Sequence, residues 1–199
     1  MLRSYLAVSA TAAIIATATA LNPPIGRAAM AQSTNPLTGE RVRVRPAPAW
    51  KNVSWLNTPD RKYVTLASLR GRVVLLNFWT FTCWNCTGAL PSLVQFDRQY
   101  RAAGLTVIGM HDPEFPPYAG EHDRNNVAAA LQKYHIEYPN ALDNDHATWD
   151  LYDIRFWPSF VLIDRRGEIR YEGAGEFHIG DPSHQEWDQR IRRLIAESQ

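Results

Sequence analysis

Cysteine is the scarcest chemistry in this chain. Its 199 residues hold two, Cys83 and Cys86. That excludes a disulfide-dense scaffold and any four-cysteine zinc or iron–sulfur site. No charge of one sign dominates either. There are 21 basic and 20 acidic residues, a formal net charge of +1, so no strong basic field directs the protein to nucleic acid. Past the N-terminus no stretch is apolar enough to span a membrane, and there is no internal repeat. What remains is ordinary globular composition, 45% hydrophobic and 21% charged, which suits one folded domain with an appended segment. Two cysteines fall three apart by chance about once in 100 placements, so the spacing is read as a motif.

Residues 1–31 read as a secretory signal. Arg3 supplies a positive start, Tyr5 to Leu21 is a small, mostly apolar run, and Ala29-Met30-Ala31 offers a small-x-small cleavage site before Gln32. The run contains Ser9, Thr11, Thr17 and Thr19 and falls short of the roughly 20 strongly apolar residues of a spanning helix. Cleavage is therefore expected in preference to a retained membrane anchor, and with it an extracytoplasmic, periplasmic location. Removing Arg3 and Arg27 leaves 19 basic against 20 acidic residues. Residues 32–50, with alternating arginines, Pro46 and Pro48, read as a flexible tether, and residues 51–199 as the folded domain.

Within that domain, Val53-Ser54-Trp55 and Tyr63-Val64-Thr65 are short strand candidates around the turn-like Asn57-Thr58-Pro59-Asp60. Val73 to Phe78 is an apolar run broken only by Asn77, the pattern of a strand buried on both faces. Helical spacing follows from about Asn85 to Ala103, then a buried strand from Leu105 to Met110. A second helix is expected over Val127 to Tyr134, with Asp123 or Asn125 as its cap. A short helix is expected after Asp143-Asn144-Asp145. Phe160 to Ile163 and Ile169 to Glu172 predict a hairpin through Asp164-Arg165-Arg166-Gly167. A capping-box pattern, Ser183-His184-Gln185-Glu186, predicts the start of the last helix. Strand–helix alternation of this kind implies an α/β sheet with helices on both faces.

The two cysteines sit where the first buried strand gives way to a helix. A helix N-terminus carries free N–H groups and about half a positive charge, worth about 0.3–2 kcal/mol to an anion. Cys83, at the strand end, is the natural nucleophile for thiol–disulfide exchange, and Cys86, inside the helix, the natural resolver. Acidifying Cys83 to about pKa 7 would raise its reactivity only about threefold net, because thiolate fraction rises while nucleophilicity falls; the larger consequence is for the redox poise. A structural bridge would constrain only a four-residue loop. Metal ligation would need distant partners, since the six histidines, at 111, 122, 135, 146, 178 and 184, show no paired spacing.

These residues resemble the thioredoxin superfamily. The resemblance is carried by the strand ending Phe78-Trp79, by Cys83-Trp84-Asn85-Cys86, by Pro91 in the following helix, and by Trp157-Pro158-Ser159 before a late strand. About 72 residues lie between Cys86 and Pro158, some thirty more than in a classical thioredoxin, room for the extra strand–helix insertion of TlpA- and ResA-like proteins. Trp55-Leu56-Asn57, Phe78 through Cys86, His111-Asp112-Pro113-Glu114-Phe115, Asp143-Asn144-Asp145 with Trp149, Trp157-Pro158 and Gly175-Glu176 look like the thioredoxin-like domain of DipZ-type proteins. The resemblance covers about residues 50–180. It implies a thioredoxin-like fold, a central mixed sheet with helices on both faces. It also implies a cis-proline at Pro158, in a loop that keeps metal from the cysteines and lends backbone to a bound substrate strand.

The resemblance further implies a thiol–disulfide oxidoreductase with no cofactor beyond a redox-active Cys83–Cys86 disulfide and no metal. It would reduce disulfides of exported proteins as a monomer, with electrons from a membrane thiol reductase of the CcdA or DsbD kind. Trp79, Trp84 and Asn85 would form the environment of the cysteines. Trp79, Phe81, Trp84 and Trp157 are candidates for an apolar docking rim, with Trp79 better suited to the core. Many thioredoxins carry an aspartate where Asn77 stands; Asn77 cannot titrate, and Glu114 is a candidate replacement, against the simpler reading of an exposed loop carboxylate. Two other classes share features. A peroxiredoxin-like thiol peroxidase would use Thr80-Phe81-Thr82-Cys83, but position 76 is Leu where those enzymes carry proline. A Sco-like copper protein would need wider cysteine spacing and a third ligand such as His111.

Overall fold

The computed structural model describes residues 32–34, 41–51, 53–58, 63–116 and 119–197. The expected signal, residues 1–31, lies outside the described residues. The strands are β1 (Gln32–Thr34), β2 (Arg41–Arg43), β3 (Arg45–Pro46), β4 (Ser54–Leu56), β5 (Val73–Trp79), β6 (Leu105–His111), β7 (Asn140–Leu142), β8 (Ser159–Ile163) and β9 (Glu168–Ala174). The helices are α1 (Trp84–Tyr100), α2 (Arg124–Lys133), α3 (Ala147–Leu151) and α4 (Pro182–Ala196). β1 and β2 form a separate antiparallel pair, and the other seven strands form one mixed sheet in the order β3-β9-β8-β5-β6-β7-β4. β5 pairs parallel with β6 and β6 with β7; the remaining pairings are antiparallel.

β5 sits at the centre because its sequence suits no other place. All seven of its residues are buried. Val73, Leu75 and Trp79 face a core shared with Leu90, Leu93 and Phe96 of α1 and Trp187, Ile191 and Leu194 of α4. Val74, Leu76 and Phe78 face a second core with Trp55, Trp149 and Tyr152. Each such aliphatic or aromatic side chain contributes about 1.5–3 kcal/mol when fully buried. The chain therefore carries helices on both faces, and α2 with β7 fills the interval between α1 and Pro158 where an insertion is expected.

Three local expectations need revision. The segment expected as a tether reaches into the sheet, because Arg45 and Pro46 pair with Ile169 and Glu168 of β9 and Arg45 meets Glu172 at 2.5 Å. Proline is tolerated there because β3 is an edge strand. Tyr63-Val64-Thr65 is not a strand; its backbone leads into a short 3-10 turn at Ala67–Leu69. The last helix is capped by Asp181, whose carboxylate accepts from the His184 N–H at 2.7 Å, with Pro182 at its first turn. An Asp-Pro start satisfies an orphan N–H and presets φ, so Ser183 lies within the first turn and caps nothing.

Candidate active site

The end of β5 delivers the chain to the site. Trp79 is fully buried; its indole N–H donates to Asn140 Oδ1 at 3.1 Å, and its ring meets His111 edge-on. This approach requires Gly109 on β6: a Cβ there would fall 1.8 Å from Asn140 Oδ1 and 2.9 Å from the Trp79 nitrogen. Trp79 is thus floor rather than rim.

Cys83 is the N-cap of α1, extended at φ −73° and ψ 112°, with its sulfur accepting from the Cys86 N–H at 3.2 Å. The sulfur occupies the place usually taken by a serine or aspartate oxygen, where the free N–H groups of the helix converge. Cys83 and Cys86 form a disulfide, with their Cα atoms 5.2 Å apart. Their exposures differ in the sense exchange requires: Cys83 is half-buried and Cys86 only 1% exposed. One sulfur can be met from solvent while the other is kept beneath it.

The Trp157–Pro158 peptide bond is cis. Ser159 pairs with Phe78, so Pro158 immediately precedes the strand next to the one that leads into Cys83. The Pro158 carbonyl accepts from Gly175 N–H at 3.0 Å, and the Trp157 indole donates to the Asp112 carbonyl at 3.2 Å and lies tilted against Trp149, ring centroids 4.2 Å apart. Around the cysteines Trp84 is 85% exposed and Asn85 is exposed, while Phe81 and Trp157 are half-buried. Phe156, 68% exposed beside the cis-proline, and Phe115 are large exposed apolar side chains that sequence reasoning did not single out.

Two buried acidic features also escaped sequence reasoning. Glu121, in the loop before α2, is fully buried. It accepts from the hydroxyls of Thr80 and Thr82 and from the Glu114 and Phe115 N–H groups at 2.9 and 2.7 Å. Burial opposes ionisation, but these four donors outweigh it and hold the carboxyl below its ordinary range. Glu114 itself is exposed and offers the site its backbone, not its carboxylate. Thr80, the threonine of the Thr-x-x-Cys spacing, is buried and its hydroxyl is committed to Glu121. His111 is buried, stacked on Phe81, with Nε2 3.3 Å from Thr80 Oγ1; burial pushes its pKa down to about 4.

The second feature is the pair Asp112 and Asp143, at the ends of β6 and β7. Both are buried. Asp143 Oδ2 accepts from the Thr148 and Trp149 N–H groups, each at 2.8 Å, and so anchors α3. Burial pushes Asp112 well above the ordinary range, and the neighbouring Asp143 adds to it. Asp143 is also raised, by burial, though its hydrogen bonds pull the other way. Two carboxyls in this setting share a proton rather than ionise together. Among the described residues no group of three or more His, Cys, Asp or Glu side chains could hold a metal ion.

Residues 45–172 match the AhpC/TSA family. DipZ of Mycobacterium tuberculosis is 47% identical over 136 residues, which is 67% of this chain and 19% of that protein. The chain thus spans less than a fifth of the length of that relative. The thiol-disulfide oxidoreductase YkuV of Bacillus subtilis is 26% identical over 147 residues, 73% of this chain and 90% of YkuV. Among solved structures, a secreted Mycobacterium tuberculosis disulfide oxidoreductase homologous to E. coli DsbE superposes with TM-score 0.51 at 25% identity, covering 64% of this chain and 86% of that one. The fold is thioredoxin-like. A mixed sheet that ends its central strand at a capped Cys-x-x-Cys beside a cis-proline, with the matched segment spanning all of these, leads to one assignment: the chain belongs to the AhpC/TSA family.

Proposed function

We propose that this protein is an extracytoplasmic thiol–disulfide oxidoreductase that reduces disulfides in exported proteins. The carrying observation is the Cys83–Cys86 disulfide at the N-terminus of α1, with one sulfur accessible and the other buried. In the reduced state the Cys83 thiolate attacks one sulfur of a substrate disulfide, forming a mixed disulfide and releasing the first substrate thiolate. Cys86, deprotonated, then attacks Cys83 Sγ, releasing the second. Two electrons pass to the substrate and the Cys83–Cys86 bond closes. A dithiol donor must return two electrons for another cycle, and a membrane thiol reductase of the CcdA or DsbD type would fill that role.

Several observations support this reading. YkuV and the secreted mycobacterial structure carry oxidoreductase names. Residues 1–31 have the pattern of an export signal. Among the described residues no helix is long and apolar enough to cross a membrane. The exposed Trp84, Phe115 and Phe156 give a client protein apolar surface to settle on while cis-Pro158 fixes the backbone beside it.

The test is capture. Cys86→Ser leaves the attacking sulfur and removes the resolving one, so mixed disulfides with exported proteins should accumulate in the native compartment. Recovery of the variant linked to no partner but itself would overturn the reductase reading.

A further inference from the structure

A buried carboxylate is hydrogen-bonded to the segment that leads to Cys83. Glu121 is fully buried, and one of its oxygens receives both the Thr80 and the Thr82 hydroxyl while the other receives the Glu114 and Phe115 N–H groups. All four donors are neutral, so they spread its charge without cancelling it. His111, bonded to the same Thr80 hydroxyl, is uncharged at neutral pH. The other titratable side chains on this loop are the exposed Glu114, His122 next in the chain, and Asp123, which caps α2. Asp112, following His111, is held towards its neutral form.

Thr82 immediately precedes Cys83, with Cα atoms about 3.8 Å apart across the peptide. Two fields therefore act on one sulfur. The α1 N-terminus favours a thiolate there, and a like charge held one residue away disfavours it. A thiolate that is harder to form stabilises the dithiol less, which makes the pair a stronger electron donor.

We propose that Glu121 is a positioning residue for the disulfide chemistry: through Thr80 and Thr82 it fixes the loop that presents Cys83, and its charge opposes the Cys83 thiolate, biasing the pair toward giving electrons. This rests on the oxidoreductase reading above. It also accounts for four hydrogen bonds converging on one buried carboxylate.

The test is the titration of Cys83 in the reduced protein, followed by thiolate ultraviolet absorbance. Glu121→Gln keeps the shape and removes the charge, so the Cys83 acid dissociation constant should rise about tenfold. At a pH above both midpoints the equilibrium with glutathione should move by the same factor, about 30 mV towards the oxidising side. Thr82→Val, at an exposed position, removes one tether and keeps the charge, so its Cys83 constant should stay within about twofold of wild type. A folded Glu121→Gln protein whose Cys83 titrates within about twofold of wild type would overturn the proposal. So would a tenfold rise in Thr82→Val, which decides the matter even if Glu121→Gln does not fold. Loss of the oxidoreductase reading is seen elsewhere, in a wild-type protein that fails to reduce insulin, while the titration remains measurable.

Discussion

Cys83→Ser should slow the reduction of insulin by about a thousandfold or more and leave the fold in place. The two halves of that expectation come from the same geometry. A serine hydroxyl is not ionised at neutral pH and cannot take part in disulfide exchange, and Cys86, 1% exposed, cannot reach a protein disulfide in its stead. The capping role, however, passes to the serine oxygen. Cys83 Sγ accepts from the Cys86 N–H, and serine is a preferred acceptor at this position. The lost covalent bridge closes a loop too short to restrain much of the unfolded chain. Circular dichroism should therefore be unchanged while activity disappears. Insulin reduction within tenfold of wild type would remove Cys83 from the reaction.

A comparably large effect, on stability rather than rate, is expected from Asp112→Asn, and it should depend on pH. Asp112 has its pKa raised in the folded protein, by burial first and by Asp143 second. A raised carboxyl pKa contributes stability below its unfolded value, near 3.9. That contribution is lost as pH rises toward the folded value, because the unfolded chain ionises freely and the buried pair does not. An uncompensated buried charge costs several kcal/mol, and each kcal/mol moves the melting temperature of a domain this size by about 2–4 °C. The asparagine amide donates a hydrogen to Asp143 at any pH, whereas the shared proton is lost once pH passes the raised pKa of Asp112.

The difference between variant and wild type should thus be near zero at pH 4 and favour Asp112→Asn by several degrees at pH 8. His111 works in the opposite sense. Its folded pKa of about 4 costs stability as pH falls from about 6.5, on the order of 3 kcal/mol at the acid end, but this cancels between the two proteins. Equal differences at both pH values would show that Asp112 is not held neutral.

The parts of this protein that are legible in its sequence are those whose signals are local. The apolar run Val73 to Phe78, the cysteine spacing and the Asp164–Gly167 turn each announce themselves within a few residues, and the strand, the capped disulfide and the hairpin lie where those signals point. Pro158 is different. Its cis bond is expected only from family resemblance, since nothing local distinguishes it from the trans majority. The buried acids carry no local sign of their burial. Glu121 lies among Pro116, Pro117 and Gly120 in what reads as an ordinary polar loop, and only the fold brings it to Thr80 and Thr82, some forty residues earlier in the chain. Asp112 and Asp143 meet because β6 and β7 are parallel neighbours whose ends coincide, His111 opposite Leu142. The short helix lies where Asp143-Asn144-Asp145 points, and Asp143 accepts from two of its first N–H groups; its second role as the partner of Asp112 depends on the sheet register. Ser183 shows the converse. A correct capping-box pattern gives way to the stronger Asp181-Pro182 start two residues before it.

The decisive measurement is the reduction potential of the Cys83–Cys86 pair, from equilibrium with glutathione at neutral pH. A reductant whose thiolate is opposed by a buried carboxylate should lie near the thioredoxin value of about −270 mV. A potential near that of DsbA, about −120 mV, would mean that the helix N-terminus prevails over Glu121 and that the protein oxidises its clients, contrary to the function proposed.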